Sequence, residues 1–204
     1  MIEMYDVGRV LVKPWLAGYE FIANHGQDYI SDPESFERIV GFHRDRSRKL
    51  KQQDFDMLND AWVQAIRDGK LPVDPSIVYS DVAPRFNAVK ARGDKVFLHT
   101  SGSKELIDFM LNEACSYDEV LVGSETGDKN NPETFAGIWD YTEGGVLAFY
   151  DDKPSVLSAA VEGFRMAGGS PKLYLIDRQS VVGQEQVEKL RADGVVKITS
   201  LDDI

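Results

Sequence analysis

The sequence lacks the residues that mark several common classes of protein. It has one cysteine, Cys115, and therefore cannot form an internal disulfide. Its three histidines, His25, His43 and His99, are too scattered along the chain to indicate a zinc site by their spacing. Neither the P-loop motif nor the glycine-rich turn of dinucleotide-binding proteins is present. A disulfide scaffold, a zinc domain and a protein built on either nucleotide motif are thus disfavoured.

Positive charge is also scarce. The chain has 23 Lys and Arg against 34 Asp and Glu, a net charge of −11, which argues against binding of nucleic acid or of an anionic membrane. Its basic segment, residues 43–51, is interrupted by Asp45 and favours a solvated helix face. No apolar run approaches the roughly 18 residues that span a bilayer, and the N-terminal residues lack the layout of a signal peptide. We therefore expect a cytoplasmic protein whose partner is a small metabolite or another protein, and the sequence leaves its oligomeric state open.

What is present points to a layered fold. With 204 residues, 43% of them hydrophobic, the chain can form one main domain and a small accessory region. From about residue 95 onward, short and almost continuously apolar runs alternate with amphipathic segments of helical length. The runs are 95–99, 119–123, 146–150, 172–176 and 195–199. Such runs are typical of parallel strands covered on both faces, so the pattern predicts an α/β fold with a Rossmann-like, doubly wound parallel sheet.

The first part of the chain has a different pattern. After one strand candidate in residues 2–12, residues 14–80 show helical periodicity without a convincing strand. Asp32 before Pro33 predicts a helix start, and Gly69 predicts the end of a later helix. We therefore predict a small helical insertion at 14–80 after the first strand, and a core formed by residues 1–13 and 81–204.

Polar residues follow the apolar runs at the places where the strands would end. They are Asp6, Thr100 with Ser101, Lys129, and Asp151 with Asp152. Because the carboxyl ends of parallel strands meet at one edge of a sheet, these side chains should converge. Asp6 could accept a phosphoryl group, and together with Asp152 it could hold Mg²⁺. Lys129 and Thr100 would then bind the phosphoryl oxygens.

These residues also carry a resemblance to a known family. In this order the segments "MYDVGRVLV", "VFLHTSGS", "GDKNNPETF" and "FYDDKPSVLSAA" resemble the four motifs of the haloacid dehalogenase (HAD) superfamily. The resemblance covers most of the chain. It implies a hydrolase with a Rossmann-like core, in most members a Mg²⁺-dependent phosphatase, and it implies that the helical insertion is the cap of that superfamily.

The resemblance also implies roles for the site residues by position. Asp6, Thr100 and Lys129 would be the catalytic residues, with Asp6 as the nucleophile. The phosphate of the substrate would be bound by Thr100, Ser101, Gly102 and Lys129. The metal would be bound by Asp6, by the backbone carbonyl of Gly8, and by Asp152 with its neighbour Asp151.

One position departs from the usual first motif. Where Gly8 stands, the superfamily usually has an acid that protonates the leaving oxygen and later activates water. General acid–base catalysis is worth roughly 10²- to 10⁴-fold in rate, and glycine has no side chain to provide it. We interpret the adjacent Arg9 as half of a surface ion pair, and His99 as a packed residue at the end of its strand.

The sequence leaves several functions open. The leading one is a Mg²⁺-dependent phosphohydrolase that acts on a small phosphorylated metabolite through an aspartyl-phosphate. The segment "DVAPRFNAVKARGDKVFLHTSGS" is similar to the enolase-phosphatase of methionine salvage, which has an acid where this chain has Gly8. Gly8 also permits a catalytically impaired HAD-fold binding protein. Dehalogenation by attack of Asp6 on carbon needs no acid at position 8, but no other feature of the sequence favours it.

Overall fold

The centre of the molecule is a six-stranded parallel sheet. The structure is a computed structural model that describes residues 1–45, 50–111 and 115–204. Its strands are β1 (Ile2–Asp6), β2 (Lys95–Thr100), β3 (Glu119–Val122), β4 (Val146–Asp151), β5 (Lys172–Ile176) and β6 (Val196–Ile198). They lie in the order β3-β2-β1-β4-β5-β6. The order reverses at β1, and doubly wound sheets bind their ligands at the carboxyl edge of such a reversal. The predicted fold class is confirmed.

Helices connect the strands. They are α1 (Leu16–His25), α2 (Pro33–Arg44), α3 (Gln52–Arg67), α4 (Val82–Ala91), α5 (Lys104–Leu111), α6 (Gly123–Thr126), α7 (Pro132–Tyr141), α8 (Pro154–Met166) and α9 (Gln184–Ala192). Short 3₁₀ turns occur at Gly26–Asp28, Pro75–Ile77 and Leu201–Asp203. None of the helices in the described ranges is both long and apolar enough to cross a membrane.

Both faces of the sheet are covered, which explains why its strands are almost continuously apolar. On one face Met4 and Phe149, neighbours in β1 and β4, pack with Phe135 of α7 and Phe164 of α8. On the other face the ring of Tyr5 packs against Phe86 of α4, with centroids 5.2 Å apart. Each such fully buried aromatic ring stabilises the fold by roughly 1.5–3 kcal/mol. The core therefore fixes the strands from which the site residues project.

The chain divides into two compact units. One holds the sheet and comprises Met1–Lys13, Val78–Ser101 and the described residues from 115 onward. The other comprises Pro14–Ile77 together with α5. Within this second unit, Arg67 of α3 donates two hydrogen bonds of 2.7 Å to Glu105 of α5. A functional division into a cap at 14–80 and a core at 1–13 and 81–204 stays a prediction.

The described part of the second unit is helical, and α2 begins at the predicted position. The Asp32 side chain accepts a 3.0 Å hydrogen bond from the amide of Ser35 and caps α2. In the interior, Trp62 of α3 donates a 2.8 Å hydrogen bond to the Gly18 carbonyl of α1. Gly69, two residues after α3 ends, has φ +67°, a conformation that favours glycine.

The observed elements differ from the predicted ones at a few places. The first strand ends at Asp6 rather than near residue 12, because the chain turns back and the amides of Leu11 and Val12 both donate to the Val7 carbonyl. The short helix α6 was not predicted. Residues 46–49 of the basic segment, and residues 112–114 at the end of a predicted helix, lie outside the described residues.

Candidate active site

Asp6 is the last residue of β1 and lies at the carboxyl edge of the sheet. It is 7% exposed and pairs in register with His99 of β2. The preceding residue, Tyr5, pairs with Tyr150 of β4, and the two rings stack with their centroids 4.4 Å apart and their planes 6° apart. The next residue of each strand is an aspartate, Asp6 in β1 and Asp151 in β4. The stacked pair therefore fixes the backbone from which both carboxylates project.

Lys129 lies in the loop between α6 and α7, and local residues shape that loop. Gly127 has φ +102°, a value that side chains disfavour. The Thr134 hydroxyl donates a 2.7 Å hydrogen bond to the Asp128 carbonyl, and the Asn131 side chain caps α7. The segment "GDKNNP" is therefore a turn followed by a helix start, and it directs Lys129 toward the sheet.

The Lys129 ammonium joins two carboxylates. Its side chain is 8% exposed and donates hydrogen bonds to the Asp6 carboxylate and, at 2.5 Å, to the His99 carbonyl. Its Nζ also lies 3.7 Å from Asp151 Oδ2, an ion-pair distance that is too long for a hydrogen bond. The structure thus brings together the predicted nucleophile and the predicted lysine.

Asp151 and Asp152 complete the acidic cluster. One carboxylate oxygen from each of Asp6, Asp151 and Asp152 lies within 4.8 Å of the other two. The second oxygen of Asp151, Oδ1, accepts a 2.8 Å hydrogen bond from the Lys153 amide at the start of α8. Asp152 Oδ2 lies 3.8 Å from Nη1 of Arg9, so the ion pair expected of Arg9 is formed.

The electrostatics of this cluster favour a bound cation. Burial, followed by repulsion from Asp6, raises the pKa of Asp151, and the same causes raise the pKa of Asp152 to about 6. Asp151 Oδ2 and Asp152 Oδ1 are buried and accept no hydrogen bond from any described residue. Buried carboxylate oxygens without partners are costly. Three carboxylates with spare oxygens fit a hard divalent cation such as Mg²⁺.

The predicted phosphate-binding segment begins at the end of β2. Thr100 is buried there, directly after His99, and Ser101 follows with an exposed side chain. Gly102 belongs to the other compact unit. Phosphate binding by these three residues stays a prediction.

Gly8 leaves space beside the nucleophile. Among the described atoms, a Cβ at this position would have one neighbour within 4 Å, Asp6 Oδ2 at 3.9 Å. A side chain could therefore begin at this position without a clash at its Cβ, and the chain provides no acid there.

His99 is a packed residue, as expected. Its ring is fully buried, lies edge-on to Phe135 at 5.7 Å, and has Nε2 3.2 Å from the Thr126 hydroxyl. Burial, followed by the charge of Lys129, lowers the pKa of the ring. The contribution of His99 to the cluster is its carbonyl, which accepts from Lys129.

Sequence reasoning missed one residue that holds the loop after Asp6. Arg178, whose side chain is 9% exposed, donates hydrogen bonds of 3.0 and 2.8 Å to the Val10 carbonyl. The same guanidinium donates two more, of 2.7 and 3.0 Å, to Asp81. Arg178 and Val10 are 168 residues apart in the chain, and no motif or spacing signals such a contact.

Comparisons with known proteins identify the fold. No protein-family model matches the chain, and no curated protein matches its sequence significantly. Similar solved structures include a β-phosphoglucomutase from Clostridium difficile, with 17% identity and a TM-score of 0.55, which covers 100% of this chain and 93% of that one. A phosphonoacetaldehyde hydrolase-like protein from Oleispira antarctica has 14% identity, a TM-score of 0.58, and coverage of 99% and 88%. An L-2-haloacid dehalogenase has 12% identity, a TM-score of 0.52, and coverage of 94% and 97%.

The likeness to these structures extends over nearly the whole chain. The similarity to the enolase-phosphatase branch stays a prediction. At these levels of identity the likeness establishes architecture rather than activity. The chain therefore has the fold of the HAD-superfamily hydrolases.

Proposed function

We propose that this protein is a Mg²⁺-dependent phosphohydrolase of the HAD superfamily, which acts on a small phosphorylated metabolite through an aspartyl-phosphate on Asp6. The observation that carries the proposal is the cluster at the carboxyl edge of β1 and β4. There Lys129 holds the Asp6 carboxylate beside two further buried carboxylates, Asp151 and Asp152. A nucleophile, a cation and a metal-ligand set at one point are the parts that phosphoryl transfer to an aspartate requires.

In the proposed reaction Asp6 is the nucleophile, and Lys129 and Thr100 bind the phosphoryl group. A carboxylate oxygen of Asp6 attacks phosphorus, and the bond from phosphorus to the leaving oxygen breaks. Water then cleaves the acyl-phosphate, which releases phosphate and restores Asp6. Lys129 orients Asp6 and, with Thr100, binds the phosphoryl oxygens.

The acidic cluster has a separate role. Asp6, Asp151 and Asp152 would hold the Mg²⁺, with the Gly8 carbonyl as a further ligand. When bound, the cation would offset the negative charge of the carboxylates and of the phosphate.

The test is Mg²⁺-dependent release of phosphate. Acetyl phosphate and 4-nitrophenyl phosphate are suitable substrates, because their leaving groups depart without a proton donor and Gly8 provides none. We expect turnover that EDTA removes and that Asp6→Asn abolishes. The matched control is Asp140→Asn, the same chemical change at an exposed position on α7, which should retain full activity. Turnover that survives Asp6→Asn would exclude the proposed nucleophile.

Gly8 favours a second candidate, a binding protein with the same fold. Such a protein would hydrolyse neither test substrate. It would still bind inorganic phosphate in the presence of Mg²⁺, and Lys129→Met would weaken that binding. The combination of binding without turnover therefore distinguishes the two candidates.

A further inference from the structure

Arg9 has an unusual backbone conformation beside the acidic cluster. Its φ is +61°, in the left-handed region where a side chain other than glycine costs free energy. Such a conformation persists only where the surroundings impose it, and outliers of this kind concentrate at functional sites. A glycine would adopt this conformation without strain, but the glycine of this turn, Gly8, is one residue before the position that requires it.

Contacts around the turn impose this conformation. The Arg9 amide donates a 2.8 Å hydrogen bond to the Val12 carbonyl, and the amides of Leu11 and Val12 return to Val7. Arg178 holds the Val10 carbonyl through two hydrogen bonds. The turn that follows Asp6 is therefore fixed from within and from the loop after β5.

The fixed turn presents the Arg9 side chain at the mouth of the cluster. Its side chain is 57% exposed, and Nη1 lies 3.8 Å from Asp152 Oδ2. Arg9 lines a small cavity of about 20 Å³ whose other lining residues include Asp152, Asp177 and Gln179. The Asp177 carboxylate is paired with Lys197 at 2.7 Å. Because the Arg9 side chain is mostly exposed, solvent screens its charge and its pair with Asp152 adds little stability. The pair therefore does not offset the backbone strain. The Arg9 guanidinium, unlike the buried Arg178, remains open to a ligand.

We propose that Arg9 is a specificity-determining residue that binds a carboxylate of the substrate while the phosphoryl group occupies the site at Asp6. The proposal rests on the proposed phosphatase function and names its substrate class, a small metabolite with both a phosphate and a carboxylate. Asp152 lies within 4.8 Å of Asp6 and 3.8 Å from Arg9, so one small molecule can reach both. A guanidinium binds a planar carboxylate through two parallel hydrogen bonds.

The test compares two non-hydrolysable probes by calorimetry in the presence of Mg²⁺. Methylphosphonate has only the phosphonate, whereas phosphonoacetate also has a carboxylate. We expect phosphonoacetate to bind the wild-type protein at least about tenfold more tightly, as for a hydrogen-bonded charged pair. Arg9→Gln should remove this advantage and leave methylphosphonate binding unchanged. Lys153→Gln, which removes another exposed cation next to the cluster, should preserve the advantage.

A second variant tests the strain itself. Arg9→Gly suits φ +61° and should raise the melting temperature by about 2–4 °C, while it abolishes the preference for phosphonoacetate. Equal binding of both probes to the wild-type protein, or a preference that survives Arg9→Gln, would overturn the role of Arg9 and leave the phosphatase proposal intact. If neither probe binds in a Mg²⁺-dependent manner, both proposals are wrong.

Discussion

The ring of Tyr5 lies flat on the ring of Tyr150, with 4.4 Å between their centroids. Both hydroxyls share one partner, since each donates to the buried carboxylate of Glu3. Arg85 of α4 donates to the same carboxylate and to the Tyr150 hydroxyl, at 2.9 and 3.0 Å. The stack and its polar network therefore hold β1 against β4, one residue before Asp6 and Asp151 of the candidate site.

This arrangement predicts different costs for two substitutions of Tyr150. Tyr150→Ala should lower the free energy of unfolding by about 3–5 kcal/mol, because it opens a cavity in the core and removes the stack. Tyr150→Phe keeps the ring and removes only the hydroxyl, so about 1 kcal/mol is expected. Urea unfolding followed by circular dichroism measures both values. Equal losses in the two variants would mean that the hydroxyl network, rather than the ring, holds the strands.

The acidic cluster predicts opposite effects of Asp152→Asn with and without metal. In the wild-type protein Mg²⁺ should raise stability according to its concentration over its dissociation constant, by about 2.7 kcal/mol at a hundredfold excess. Asp152→Asn should abolish this rise. Without metal, the same variant should be more stable than the wild type at pH 7, by on the order of 1–3 kcal/mol, because it removes a buried and repelled charge.

Thermal unfolding of both proteins in EDTA and in Mg²⁺ measures these effects. Asp140→Asn is the control, since it makes the same change on an exposed surface. A wild-type protein that gains nothing from Mg²⁺ would contradict the assignment of the cluster as a metal site.

The fold could be predicted largely because strands and helices leave patterns within short stretches of the sequence. Each apolar run from residue 95 onward coincides with a strand to within about one residue at either end. The convergence of Asp6 and Asp151 follows from that alternation, since parallel strands share one edge. The position of Lys129 also depends on α6 and the turn after it, which were not predicted. The helix start at Asp32 could be predicted for the same reason, because the Asp32 side chain accepts a hydrogen bond from Ser35, only three residues further along the chain.

The contacts that could not be predicted join distant parts of the chain. Arg178 contacts Val10 across 168 residues, and Arg85 contacts Glu3 across 82. Arg178 lies outside every segment singled out in the sequence, and the segment that contains Arg85 does not indicate its partner. Both contacts therefore depend on tertiary packing that no spacing encodes. The left-handed backbone of Arg9 was also hidden, because arginine does not favour that conformation and the fold imposes it.

The helical unit provides a prediction about pH. The Asp54 side chain is fully buried. It accepts hydrogen bonds of 2.8 and 3.0 Å from Arg38 and one of 2.9 Å from the Lys51 amide. The Arg38 hydrogen bonds, opposed by burial, lower the pKa of Asp54 to about 2. A depressed carboxyl pKa gives stability that is present above the unfolded value near 4 and is lost as the pH falls toward 2.

As the pH falls from 5 to 2, the wild-type protein should therefore lose the stability that ionised Asp54 contributes. Asp54→Asn lacks this contribution at every pH, so its free energy of unfolding should fall less over the same range. At pH 7 we expect Asp54→Asn to cost about 2 kcal/mol, the usual value of hydrogen bonds to a charged group. Asp60→Asn, an exposed change on the same helix, is the control. Parallel pH profiles for wild type and Asp54→Asn would show that this ion pair does not contribute to acid sensitivity.

The missing acid at position 8 affects how the hydrolysis rate depends on the leaving group. Gly8 provides no proton donor, and the space beside it is open to Asp6, so the leaving oxygen must depart with more negative charge than in an acid-assisted phosphatase. The logarithm of the rate should therefore fall steeply as the pKa of the leaving group rises. Acyl, aryl and anomeric phosphates should be hydrolysed in preference to simple alkyl phosphates.

A series of phosphate esters with graded leaving-group pKa measures this slope on the wild-type protein, with Asp6→Asn as the blank. Gly8→Asp restores the missing group, and a Cβ at that position meets no atom closer than 3.9 Å, but the substitution also adds a carboxylate to an already acidic cluster. If the added carboxylate serves as an acid, the slope should become shallower even where the absolute rate falls. A flat slope in the wild-type protein would contradict the prediction, because it would mean that another group already supplies the proton.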